Sequence, residues 1–145
     1  HAAFPMLITS PVFKPWKSIS IFFGGSKNAL NALKLGLKIA IASGFDLRMY
    51  TFIEKNDEFY YRQLIEKEGL NDPVNQVVKQ WHFHTKKDFD SMLYDIPHDS
   101  LIVLGAYGHG IIKDILFGSK MEKIQSTLTN NLLVTGPKAT IELYH

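Results

Sequence analysis

The stretch from Gly105 to Ser119 carries the pattern with the most chemical content: Gly-Ala-Tyr-Gly-His-Gly-Ile-Ile-Lys-Asp-Ile-Leu-Phe-Gly-Ser. Glycine at 105, 108 and 110 admits dihedrals closed to other residues and lets backbone N–H groups approach an anion. Gly118 and Ser119 open an expected helix, whose N-terminus has free donors and partial positive charge. Ser119 can add a hydroxyl donor, and His109 a donor or a positive charge. Together these are the parts of a cradle for nucleotide phosphates. The same residues also have structural uses. Ser119 and Glu122 form a capping box, Gly118 eases a turn, and Gly105 ends a strand. Neither the P-loop spacing nor the Rossmann Gly-x-Gly-x-x-Gly occurs. Lys113 and Lys120 could screen phosphate charge, although exposed lysines are the default.

Other chemistry is thinner. His82 and His84 alternate on an expected strand and share a face. They lack a third ligand at suitable spacing, so no metal site is expected and an exposed strand face is the simpler reading. Asp88, Asp90, Asp95 and Asp99 do not follow a calcium-loop pattern and read as a solvated helix. No catalytic nucleophile can be placed, so enzymatic activity is limited to a weak ATPase at most. The chain has no cysteine, which excludes disulfides, thiolate metal sites and cysteine nucleophiles. That fits a reducing compartment, and a cytoplasmic location is expected. A formal net charge of +2 with scattered lysines argues against nucleic acid, and no apolar run is long enough for membrane insertion. The start lacks the pattern of a signal peptide. A first residue of His1 reads as a processed chain or a fragment.

The elements that must position the glycine loop follow from periodicity. Ser18 to Gly24 alternates as a strand, broken by Gly24-Gly25. Ser26 then caps a helix to about Ala42. Its apolar stripe is Leu30, Leu33, Leu37 and Ile41, and Ala29, Ala32, Gly36 and Ala40 lie beside it for close packing on a sheet. Lys27, Asn31, Lys34 and Lys38 take the solvent side, and Gly44 is placed for a left-handed cap. Strands are expected at Phe45–Phe52, Val77–His84, Leu101–Leu104 and Asn131–Thr135. Helices are expected at about Asp57–Glu68, Lys87–Asp95 and Ser119–Leu128. Strict alternation predicts an α/β fold: a doubly wound, mainly parallel five-stranded sheet with helices on both faces. Ligands bind at carboxyl strand ends in such sheets, which points to Gly24-Gly25 and Gly105.

One internal echo stands out. Pro5-Met6-Leu7-Ile8-Thr9-Ser10-Pro11 matches Asn131-Leu132-Leu133-Val134-Thr135-Gly136-Pro137 in its Leu, Thr, Pro and apolar pattern. Chance is one explanation, since apolar strands ending in proline are common. The other divides the chain into residues 1–17, the tail of a preceding repeat, and a domain over 18–145. Leu132, Leu133 and Val134 should form an edge strand, which invites pairing with another chain. Residues 3–9 could pair there instead.

The spacing Gly105-x2-Gly108-x9-Gly118-Ser119 resembles that of the universal stress proteins. The resemblance covers about Ile19 to Thr135, including Gly-Gly-Ser after the first strand and the small-residue first helix. Gly-Ala-Tyr-Gly-His-Gly is similar to the second repeat of tandem bacterial members. The resemblance implies an adenine-nucleotide alpha-hydrolase-like fold and a stress-response module. It implies that Gly105, Gly108, Gly118 and Ser119 bind ATP or AMP, with His109 assisting and magnesium as the accompanying cation. It further implies a homodimer or paired tandem repeat. One position departs: Gly24 stands where nucleotide-binding members carry aspartate, so a carboxylate contact to the nucleoside is missing and a small gap is expected. The alternative is an interaction or regulatory domain with a vestigial site, part of a tandem stress protein or an appendage of a transporter.

Overall fold

The computed structural model describes residues 5–10, 14–106, 128–136 and 143. The expected helix from Ser119 lies outside them. The sheet has six strands in the order β1-β6-β5-β2-β3-β4, namely β1 (Met6–Ile8), β2 (Ser18–Phe22), β3 (Asp46–Phe52), β4 (Val78–His84), β5 (Ser100–Gly105) and β6 (Leu132–Thr135). Neighbours from β4 to β6 are parallel. The doubly wound, mainly parallel reading therefore holds, but the strand count is six rather than five. The additional strand is β1, which pairs antiparallel with β6. Its pairing with the last strand is the one open to residues 3–9 in the sequence, and the count of five omits it because three residues are too few to show a period. It takes the edge of β6 that would otherwise stand open.

Helix α1 (Lys27–Ser43) begins as expected. Ser26 is extended and its Oγ accepts a hydrogen bond from the Ala29 N–H at 3.1 Å. Gly44 closes it at φ 75°, donating to the Ala40 carbonyl. Its buried face is Ala29, Asn31, Ala32, Leu33, Gly36, Leu37 and Ala40. Two assignments are corrected. Asn31 is buried rather than on the solvent side, and Ile41 is 54% exposed rather than in the stripe. The small residues face the sheet, so the contact line is rotated toward Ala32, Gly36 and Ala40 and away from Ile41. Close packing explains that rotation, since a Cβ on Gly36 would lie 2.4 Å from Ile21 Cδ1.

Helix α2 (Glu58–Lys67) is capped by Asp57, whose Oδ1 accepts from the Tyr60 N–H. A further helix, α3 (Asn71–Val77), has no counterpart in the sequence reading. It spans only seven residues, lacks a side-chain cap bond and carries Pro73 in its first turn, where proline is tolerated. A 3₁₀ turn over Lys86–Asp88 leads into α4 (Phe89–Asp95).

Two cores flank the sheet. Ile19, Ile21, Phe23, Leu47, Met49, Leu101 and Val103 pack against α1, together with Tyr61, Ile65 and Val74 of α2 and α3. On the other face Phe22, Tyr50, Phe52, Ile102 and Leu104 pack against Phe89, Met92 and Leu93 of α4. Both β2 and β5 are buried along their whole length, as central strands covered on two faces must be. Among the described residues no helix is long and apolar enough to cross a membrane.

Candidate functional site

From β2 the chain winds through β3 to β4, then returns to build β5 and β6 on the opposite side of β2. The winding direction therefore reverses between β2 and β5. A crevice outside the carboxyl ends of those strands is where open α/β sheets place ligands. Two glycine segments border it: Gly24-Gly25 after β2, and Gly105 ending β5.

The first turn of α1 sits directly on this crevice. A Cβ on Gly105 would lie 2.5 Å from the Asn28 carbonyl carbon and 2.7 Å from Ala29 N. Only glycine allows strand and helix to meet so closely. The sequence reading assigned Gly105 a conformational role, yet its φ is not positive; Gly25, Gly44 and Gly69 are the positive-φ glycines described. Its missing side chain, rather than its dihedral freedom, is what the fold uses.

Side chains pin the three ends together. The Asn28 carboxamide donates to the Ala106 carbonyl at 2.6 Å. The Thr135 hydroxyl, fully buried, donates to the Asn28 carbonyl at 2.9 Å. The Ala106 N–H in turn donates to the Thr135 carbonyl at 2.8 Å. Asn28 and Thr135 were not singled out by sequence reasoning. They lie far apart in the chain, and an asparagine in a first turn or a threonine at a strand end carries no spacing signal. The first turn of α1 contains no acidic residue, and beyond the Ala29 N–H taken by Ser26 Oγ its end keeps the partial positive charge that favours an anion.

The other wall is formed at Gly25. Gly25 has φ 84°, and a Cβ there would lie 2.9 Å from Leu64 Cδ1 and 3.4 Å from a Tyr61 ring carbon. Helix α2 thus packs against the glycine turn. Phe23 is held beneath it: its N–H donates to the Tyr50 carbonyl, and its own carbonyl accepts from the buried Thr51 hydroxyl at 2.8 Å. Trp81 Nε1 donates to the same Thr51 oxygen.

Of the sequence-predicted site residues, Gly105 is placed at this crevice. Gly108, His109, Gly118 and Ser119, with Lys113 and Lys120, lie outside the described residues. His82 and His84 are half-buried rather than exposed, because their rings stack with Tyr50 on β3 at centroid distances of 5.0 and 6.3 Å. Among the described residues no group of three metal-ligating side chains forms. Asp88 is exposed and accepts from the Thr85 N–H and hydroxyl, a local turn.

Burial lowers the pKa of His82 below the ordinary histidine value, helped by the neighbouring His84 and Arg48 and opposed by Asp95. The folded state thus resists protonation that the unfolded chain accepts. His82 should cost stability as pH falls through about 6.5, down to its depressed folded pKa. Urea midpoints measured above and below that pH should fall on the acid side, and fall less in His82→Gln. An equal fall in the variant would remove His82 as the cause.

No protein-family model matches the sequence, and no curated protein matches it. Solved structures do. A universal stress protein crystallised in complex with cAMP aligns with a TM-score of 0.58 and 19% identity, over 85% of this chain and 98% of its own. This chain has the universal stress protein fold. A hypothetical protein, MJ0577, solved as a test case for structure-based assignment of biochemical function, aligns at 17% identity. Its TM-score is 0.51, over 86% of this chain and 99% of its own. Within the universal stress protein fold, the carboxyl ends of β2 and β5 and the first turn of α1 border the crevice of this chain.

Proposed function

We propose that this chain is a stress-response module that binds an adenine nucleotide, ATP or AMP, at the crevice between β2 and β5. The contact of Gly105 with the first turn of α1 carries the reading. It sets the carboxyl end of β5 beside a helix N-terminus free of acidic residues, which favours a phosphate group. Gly108, His109, Gly118 and Ser119 complete the phosphate contacts, and magnesium accompanies ATP. The fold shared with a protein crystallised with cAMP supports a nucleotide over other phosphorylated ligands. Signalling runs through domain or dimer contacts, in the cytoplasm.

A second reading has one observation in its favour. Leu64 and Tyr61 pack against Gly25, and Gly24 offers no carboxylate to a nucleoside, so the site would be vestigial and the domain an interaction or regulatory module.

Gly24→Asp separates the two. Gly24 is not among the positive-φ glycines, so an aspartate there is not strained by its backbone. A hydrogen bond to a charged group contributes about 1.5–3 kcal/mol, so titration should show at least tenfold tighter ATP or AMP binding in the variant. Absence of binding in both proteins would leave the interaction module.

A further inference from the structure

We propose that the amino ends of β5 and β6 form a binding site for one ordered water molecule, held by Asn130, Thr129 and Ser100, which locks the turn leading into β5. The site lies at the opposite end of the strands from the crevice, so the proposal stands apart from nucleotide binding.

Asn130 carries it. The residue is 8% exposed, and its carboxamide nitrogen donates to the Ser100 carbonyl at 2.7 Å and to the Pro97 carbonyl at 2.9 Å. An amide nitrogen has two hydrogens, and both are used. The same carbonyls fix which way the carboxamide points, since turning it over would set its oxygen against theirs. Asn130 Oδ1 is therefore directed away from the turn. It is buried and has no hydrogen-bond partner among the described residues, and Thr129 Oγ1 is in the same state. A buried oxygen left unpaired costs the whole of its desolvation, and folded proteins seldom leave two in neighbouring residues.

Both residues line one cavity of about 10 Å³, which Ser100, Lys14 and His98 line as well. That volume is about the least that admits a water, and it is too small for a larger ligand. The Ser100 hydroxyl lies 2.7 Å from that of Ser20, and a hydroxyl keeps capacity for a further bond. A water in the cavity can thus donate to Asn130 Oδ1 and bond the hydroxyls of Thr129 and Ser100. Three bonds are typical of buried water. Ser18 stands opposite Ser100 in the sheet, and its buried hydroxyl also lacks a partner among the described residues. The polar surroundings that a water needs therefore extend onto β2.

Ions fit less well. No acidic residue lines the cavity, and Lys14 and His98 are exposed beside it, which disfavours a cation. Asn130 presents an acceptor, which disfavours an anion. The competitor from this chain is the Lys14 ammonium, which would have to give up its hydration to enter.

The test is a crystal structure of the unmodified protein at a resolution that shows ordered water. It is paired with oxygen-17 magnetic relaxation dispersion, which counts long-lived internal waters, on that protein, on Thr129→Val and on Thr129→Ser. A water should sit about 2.7–3.2 Å from Asn130 Oδ1. The count should fall by one in Thr129→Val, which keeps the shape but not the hydroxyl, and hold in Thr129→Ser, with circular dichroism unchanged in both. Any other group on Asn130 Oδ1, Lys14 Nζ included, would overturn the proposal. So would a count that Thr129→Val leaves unaltered. The crystal structure decides alone if Thr129→Val does not fold.

Discussion

Gly105→Ala is expected to lower stability by about 3 kcal/mol, the upper end of the usual cost of overpacking a core. The added methyl would stand 2.5–2.7 Å from three backbone atoms of Asn28 and Ala29. Neither partner can yield easily. Gly105 ends a strand buried along its whole length, and the helix turn is held by Asn28 and Thr135 hydrogen bonds. One other glycine serves as a control. Gly44→Ala meets nothing within 4 Å despite its φ of 75°. That change should cost about 1 kcal/mol. Urea unfolding with unchanged slope reads the difference. A Gly105→Ala midpoint equal to that of Gly44→Ala would mean that the helix does not press on the strand end as described.

The second large effect is at Phe23. Its ring is fully buried and meets Tyr61 and Trp81 edge-on, at centroid distances of 6.5 and 5.9 Å. Truncation to alanine should cost about 4 kcal/mol, a large share of a typical domain's stability of about 5–15 kcal/mol. The cavity would open under Gly24 and Gly25, at the wall of the crevice. Trp81 would lose a ring neighbour while keeping its hydrogen bond to Thr51. A shift in tryptophan emission should therefore accompany the lowered urea midpoint. A loss below about 1 kcal/mol would show that Tyr61 and Leu64 collapse into the space, and that α2 is not fixed against the glycine turn.

How far the sequence carried the fold depends on length and period. The long helix α1 was legible from its cap, its small residues and Gly44, because each follows from local chemistry. The strands β2 and β5 were legible as apolar runs ending in glycine. What failed was short or relational. Helix α3 is two turns with proline in the first, and β1 is three residues whose only clue was an echo elsewhere in the chain. The exposure of Ile41 and burial of Asn31 depend on how α1 rolls on the sheet, which packing decides and periodicity only approximates. At the candidate site, Gly105 was found but for a different physical reason. Asn28 and Thr135 were not found, since their bonds link residues 78 and 107 positions apart. His82 and His84 were read as an exposed face because alternation does not reveal that Tyr50 lies beside them.

The most direct test of the proposed function is calorimetric titration of ATP and AMP, with magnesium, into the protein and into Gly118→Val. The account predicts saturable binding of at least one nucleotide to the unmodified chain and none to the variant, whose added side chain blocks the phosphate loop. Absence of heat with both nucleotides, or binding that Gly118→Val leaves intact, would contradict it.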